Sequence, residues 1–338
     1  MSKTDVEWLD PSLFEPAQTE EMQDNEKIAA PSLSFLQDSF RRLKKNKGAV
    51  VSLVIILIMI TIAILAPVLA PHNPFTQNVA FANLPPKIPG WTIDGFNGFR
   101  AGQDQYALSK VPEGTYYYLG TDGLGRDLLS RILYGTRLSL LIAFAAALFD
   151  LTIGVTYGIV SGWFGGRVDN VMQRILEIMS GIPNLVILVL MLLFLRPGIS
   201  SIILALGFTG WLTMARVVRA QTMKLKNQEY ILAARALGQN FRNISIKHLL
   251  PNLAGIVIIQ TMFSIPSAIF FEAFLSFLGI GVPIPNASLG SLINDGYKTF
   301  RFLPHLMWFP ALVLCILMIS FNLLADGLRD ALDPKMKD

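Results

Sequence analysis

The chain has 338 residues, 52% of them hydrophobic and only 15% charged, with a mean hydropathy of +0.49. A soluble domain carries about a quarter charged residues. Here the apolar residues gather into long runs, which excludes a soluble globular protein and points to a polytopic membrane protein. The single cysteine, Cys315, excludes a disulfide within the chain and a cysteine-based metal site. Inside an apolar run it reads as a small buried hydrophobe.

Residues 1–40 hold nine acids and two lysines, a balance of −7, which leaves 26 Lys and Arg against 15 acids, or +11, for the rest. This acidic stretch has little apolar periodicity and is expected to be flexible or partly helical. Val50 to Ala70 contains no charged residue. At about 1.5 Å per residue it crosses a hydrocarbon core of about 30 Å. It lies far from the N-terminus and no small-residue cleavage site follows, so it reads as a retained signal anchor.

In the next segment, Pro71 to Thr136, five basic residues are matched by five acids. Near its end, Leu128, Leu129, Ile132 and Leu133 share one helix face, with Arg126, Asp127, Ser130 and Arg131 on the other side. That pattern predicts an interfacial helix leading into a span. The glycines just before it have no βαβ context, so they are not read as a nucleotide loop. Further apolar runs follow at Leu138 to Val160, Ile178 to Leu195, Ile199 to Val218, Leu253 to Leu278 and Leu306 to Leu324, giving six spans.

Lys and Arg set the orientation. Arg41, Arg42, Lys44, Lys45 and Lys47 precede the first span. Arg216, Arg219, Lys224, Lys226, Arg235, Arg242 and Lys247 follow the fourth, against the single acid Glu229. Arg329, Lys335 and Lys337 follow the sixth. With six spans these three segments share one side, which places both termini in the cytoplasm. Pro183, Pro266 and Pro310 remove helix hydrogen bonds within the spans, either as tolerated kinks or as hinges.

Two acids lie inside apolar runs. An ionised carboxylate at the middle of a span costs on the order of 3 kcal/mol, so Asp150 must face protein or water. It reads either as a pathway-lining or gating residue, or as a hydrogen-bonded packing group. Glu272, near the outer end of the fifth span, reads as facing an outer gate or a docked protein, or as an interfacial anchor. The three histidines are scattered and make no metal site.

The polar segment between the fourth and fifth spans runs through Glu229 to Pro251. Ile231, Leu232, Ala233, Ala234, Ala236 and Leu237 predict a helix face of small residues. Gly238 suits a left-handed helix end, and Asn240 is placed to cap a second helix through Phe241, Ile244 and Leu249. Pro251 is expected to end it. The result is a projecting helix-turn-helix.

Ala233-Ala234, then Gly238, then Leu250-Pro251, resembles the EAA loop of ABC importer permeases. The stretch Leu119-Gly-Thr-Asp-Gly-Leu-Gly-Arg-Asp-Leu-Leu-Ser-Arg resembles the signature before the second span in the peptide and nickel branch of that family. The tail Asp326-Gly-Leu-Arg-Asp-Ala-Leu-Asp-Pro matches as well. Leu232 stands at the consensus glutamate position, and Glu229 lies three residues earlier on the same face. The pattern is most similar to the C-type permease subunits of bacterial oligopeptide importers.

The resemblance implies a type I ABC importer permease. Its fold would be all-α and polytopic, with a tail at 1–48, the first span at 49–70 and an extracytoplasmic segment at 71–136. A five-helix core would cover 137–325, containing the coupling loop at 219–251, and the C-terminal tail 326–338. It implies a multi-pass protein of the bacterial cytoplasmic membrane. Its partners would be a second permease subunit, two ATP-binding subunits and an extracytoplasmic peptide-binding protein. Glu229, Leu232, Ala233, Ala234, Gly238, Leu250 and Pro251 would contact the ATPases. The chain itself is expected to be no enzyme and to bind no cofactor, since it has no Gly-x-x-x-x-Gly-Lys-Ser/Thr loop; ATP and Mg would be used by the partners. The cargo would be oligopeptide, with dipeptide, nickel or another small solute as alternatives. A secondary transporter would need more midplane charges and internal repeats. A membrane enzyme would need a clustered nucleophile and base or metal ligands.

Overall fold

A computed structural model describes residues 35–196 and 198–332. The acidic residues 1–34, and Lys335 and Lys337 of the tail, lie outside the described residues. Nearly all the regular structure is helical. Among the described residues five helices are long and apolar enough to cross a membrane, or six when one bent pair counts as a single span.

Helix α1 (Phe35–Lys45) leads into α2 (Lys47–Leu69), with Asn46 between them accepting a hydrogen bond from Ala49 N at 3.1 Å. The buried residues of α2 are Ala49, Ser52, Ile56, Ala63 and Ala66, spaced by three, four and seven. That stripe packs on the long helices α4 (Leu128–Phe164) and α12 (His305–Leu332). The approach to α12 is close because Gly327 has no side chain to meet Ala49.

Between α2 and α4 the chain builds a small domain of its own around Leu84, Tyr106 and Tyr117. Strands β1 (Phe99–Arg100) and β2 (Gln103–Asp104) form an antiparallel hairpin. Its two turn residues, Ala101 and Gly102, have φ of 50° and 77°. Positive φ at both positions matches the twist of the flanking strands. Asp104 caps α3 (Gln105–Leu108), and the Tyr106 hydroxyl donates to Pro85 O at 3.1 Å. Burial raises the Tyr106 pKa further above its ordinary value.

A buried charge cluster pins this domain to the start of α4. Asp122 accepts from Leu124 N at 2.9 Å, from Arg126 N at 3.0 Å and from Arg126 Nε at 2.7 Å. Arg131 Nε lies 3.4 Å from the same carboxylate as an ion pair. Asp127 caps α4, accepting from Ser130 N at 2.8 Å and Ser130 Oγ at 2.5 Å. The Ser130 hydroxyl in turn accepts from His72 N at 3.2 Å. The expected interfacial helix is therefore the first turns of α4 itself. Its polar side, Ser130 and Arg131, is buried along with Leu128 and Ile132, because the charges find partners inside the protein instead of at a lipid surface.

The most extensive helix pair is α4 with α7 (Ile199–Leu225). Gly154, Gly158 and Gly162 recur every four residues on α4. A Cβ on Gly158 would lie 2.7 Å from Ala215 O and from Val218 Cβ; one on Gly162 would lie 2.8 Å from Arg219 O. From the other side, Gly207 of α7 receives Phe149, whose Cβ would be 2.9 Å away. Small residues let two backbones meet inside a membrane, where dispersion and not water drives association.

The third expected span is not one straight helix. It is α5 (Gly166–Gly181) and α6 (Asn184–Phe194), meeting at 86°. Ile182, which precedes Pro183, is extended at φ −95° and ψ 129°. Proline clashes with helical geometry in the residue before it, so the helix ends there and restarts in a new direction. Pro266 and Pro310 sit inside continuous helices, α10 (Leu250–Phe277) and α12.

Helix α11 (Leu289–Lys298) opens with a capping box between Ser288 and Ser291 and packs against α10 and α12. Cys315 is exposed on α12, not buried, beside the exposed Leu312, Ile316 and Ile319. A thiol is apolar enough to share the face that these side chains present to a bilayer.

Two outcomes follow. Asp122→Ala strands the buried Arg126 and Arg131 and should lower stability by on the order of 3 kcal/mol. Thermal unfolding of the detergent-solubilised protein measures this. Gly158→Ala should cost about 1–3 kcal/mol by the same assay because the methyl meets α7. Gly181→Ala, which opens onto empty space, should leave the melting temperature unchanged.

Candidate functional site

The polar segment after α7 forms one compact projection. Lys226 to Gln228 connect α7 to α8 (Glu229–Ala236). Gly238 has φ 76°, and Gln239 N reaches back to Ala234 O at 3.1 Å, closing the helix end. Asn240 caps α9 (Phe241–Ile244) by accepting from Asn243 N at 2.9 Å.

Pro251 does not end this second helix. A π-type turn, Ser245–Leu249, joins α9 to α10, so the chain stays helical from Phe241 to Phe277. Pro251 lies in the first turn of α10, where its missing N–H is tolerated. The wider turn changes the hydrogen-bond register just before it.

The small-residue face of α8 is divided. Ile231 is buried and Ala234 is 5% exposed, and both pack into a core with Val155, Ile159, Met214 and Val218. Glu229, Leu232, Ala233, Gly238, Leu250 and Pro251 are exposed. Leu237 is 83% exposed at the tip, and Tyr230 and Ile246 add to the same outward apolar surface. Six of the seven anticipated contact residues thus face outward, while Ala234 holds the projection to its own bundle.

A set of contacts absent from the sequence reading seats the projection on the corner between α4 and α5. Arg219 donates twice to Asp169, at 2.6 Å each, and Ser161 Oγ donates to the same carboxylate at 2.5 Å. Lys226 Nζ donates to Gly162 O at 2.7 Å. The Arg235 guanidinium lies 5.5 Å from the centre of the Trp163 ring, and Trp163 in turn packs on Phe241. The available signal was the acid Asp169 just after Gly165-Gly166, a charge that needs a partner at a chain reversal.

The two intramembrane acids differ sharply. Glu272 is 0% exposed. It accepts from Ser139 Oγ and Ser276 Oγ, both at 2.8 Å. Ser139 Oγ also accepts from Leu289 N at 3.3 Å, so the carboxylate joins α4, α10 and the start of α11. Its carboxylate is enclosed within the chain and reaches no exposed surface. The reason is local chemistry: three elements converge with hydroxyls that only an acceptor satisfies.

Asp150 is 6% exposed and lines a cavity of about 260 Å³ between α4, α6, α7 and α10. Ser264 donates to its Oδ2, while Oδ1 is without a hydrogen-bond partner among the described residues. Asn184, Thr209, Thr213 and Gln260 complete the polar lining. Asn184, Thr213 and Ser267 are exposed, so the cavity opens on the flank of the helices.

Residues 154–338 match the family described as the binding-protein-dependent transport system inner membrane component. Residues 34–86 match the N-terminal TM domain of oligopeptide transport permease C. The dipeptide transport system permease protein DppC of Lactococcus lactis subsp. cremoris (strain MG1363) is 47% identical over 324 residues, covering 93% of this chain and 94% of that protein. The oligopeptide transport system permease protein OppC of Bacillus subtilis (strain 168) is 41% identical over 326 residues, covering 96% of this chain and 98% of that one. With the helical bundle, its projecting loop and these matches along nearly the whole length, the chain belongs to the family of binding-protein-dependent transport system inner membrane components.

Proposed function

We propose that this chain is a permease subunit of an ATP-driven importer that moves oligopeptides across the bacterial cytoplasmic membrane, with both termini in the cytoplasm. The observation that carries the reading is its resemblance, over more than nine-tenths of its length, to permeases named for peptide transport. The N-terminal match to oligopeptide transport permease C favours longer peptides. A dipeptide cargo is the second reading, favoured by the 47% identical relative. Uptake of labelled dipeptide and pentapeptide by cells expressing the transporter separates the two.

The working machine pairs the chain with a second permease, two ATP-binding subunits and an extracytoplasmic peptide-binding protein. ATP and Mg serve the ATP-binding subunits. In this reading the exposed side of the projection, with Glu229, Leu232, Ala233, Gly238, Leu250 and Pro251, meets an ATP-binding subunit. The geometry suits a lever. Three residues join the projection to α7, and an unbroken helical path joins it to α10. The Asp169–Arg219 pair adds the corner of α4 and α5 to the same rigid unit. A displacement of the projection then tilts several spans together, which is the rigid-body motion that alternating access requires. The Asp150 cavity lies between those spans and forms part of the path.

Leu237→Asp tests the lever. Its side chain is 83% exposed, so folding and membrane insertion should be retained. A charge at the centre of an apolar contact should reduce co-purification of the ATP-binding subunits and lower peptide uptake at least about tenfold, a loss of 1.4 kcal/mol or more in association. Full uptake by this variant with normal assembly overturns the docking assignment.

A further inference from the structure

Asp150 borders a cavity among membrane-spanning helices, and one of its carboxylate oxygens, Oδ1, has no hydrogen-bond partner among the described residues. Among the other described buried acids, Asp127 also leaves its Oδ1 without a partner but borders no cavity between the spans, while Asp122, Asp169 and Glu272 are held within the chain. Asp122 has arginines and backbone amides, Asp169 has Arg219 and Ser161, and Glu272 has Ser139 and Ser276. None of the residues lining the Asp150 cavity is Lys, Arg or His. The cavity therefore has a negative group and no internal counter-charge. Asn184, Thr213 and Ser267 at its mouth are exposed and polar, a poor surface for lipid.

The volume narrows the occupant. About 260 Å³ is far more than the roughly 30 Å³ of one water. It is less than the roughly 300–1,000 Å³ of pockets that enclose a whole drug-sized molecule. The space fits one end of a larger solute. A carboxylate end is repelled by Asp150. An ammonium end supplies three donors, and the Asp150 carboxylate with the side-chain oxygens of Thr209, Thr213 and Gln260 supplies acceptors.

We propose that this cavity receives the N-terminal ammonium of a peptide in transit, with Asp150 as its counter-charge. The inference rests on the peptide-import reading given above. Every unmodified peptide carries that ammonium whatever its side chains. A carboxylate here recognises the one feature shared by all of them, and the apolar remainder of the lining leaves side chains unselected. Ser264 holds Asp150 by its other oxygen, and Gly210 lies against the carboxylate, where a side chain would collide with it. The carboxylate is thus oriented before a ligand arrives.

The test uses the assembled membrane complex in lipid nanodiscs with Cys315→Ser as background, and Ser267→Cys at the cavity mouth as reporter. Labelling of this chain by methanethiosulfonates is followed by mass. A trimethylammonium reagent should react at least about tenfold faster than its sulfonate counterpart, as expected for a focused negative potential, and Asp150→Asn should abolish the difference. A tripeptide with a free N-terminus, added at millimolar concentration so that no binding protein selects it, should slow the cationic labelling. The N-acetylated form of the same tripeptide should not. That comparison needs no Asp150 variant. Equal rates for the two reagents, a difference that survives Asp150→Asn, equal protection by both peptides, or protection by sodium chloride in place of peptide would each overturn the proposal. Absence of any peptide uptake by the unmodified complex would instead remove the import reading, and the labelling result would still report on the cavity's charge.

Discussion

With only hydrogens at Gly154, Gly158 and Gly162, the backbone of α4 lies directly against Met214, Val218 and Thr222 of α7. Everything else in the bundle is placed relative to this pair. The projecting loop hangs from the end of α7. The corner that supports it begins at the end of α4. The cavity holding Asp150 sits where the same two helices part enough to admit α6 and α10. An added methyl at any of these glycines would separate the helices and move all three features at once.

Polar groups within a low-dielectric bundle are costly when left alone and rigidifying when satisfied. The chain uses this at three depths. Asp122 with Arg126 and Arg131 fastens the small domain between α2 and α4 to α4. Glu272 with Ser139 and Ser276 fastens α10 to α4 and to α11. Asp169 with Arg219 fastens α5 to α7. These junctions leave rigid units between them, and rigid units transmit displacement. Asp150 departs from these three junctions, with a partner on one oxygen only and a cavity beside it.

Much of this was legible in the residues. The apolar runs located the spans, although α4 begins ten residues before its run and α7 and α12 continue seven and eight residues past theirs; Gly238 and Asn240 marked the turn and the second cap, and the signature around Leu119–Leu133 marked a special segment. What was missed shares a cause: it depends on which segments meet. The signature reads as amphipathic in one dimension, but its polar side is buried because the small domain around Leu84, Tyr106 and Tyr117 covers it. Glu272 reads as an interfacial acid until Ser139, over a hundred residues away, is seen beside it. The Gly154, Gly158 and Gly162 spacing was visible, yet nothing local named α7 as its partner. Pro183 reads as a kink, and only the 86° turn shows that the expected third span is two helices. Pro251 reads as a stop, and only the π-type turn ahead of it explains why the helix continues.

That turn has a further consequence. Ser245–Leu249 sits inside an otherwise unbroken helical path from Phe241 to Phe277. With about 3.6 residues per turn, gaining or losing one residue there rotates every later side chain by about 100°. Gln260 and Ser264 would leave the cavity, and Glu272 would leave Ser139, in a single step. Residue identity in this stretch is therefore freer than residue number. The length of the segment acts as a phase setting that keeps the projecting end of α10 in step with its polar partners deep in the bundle.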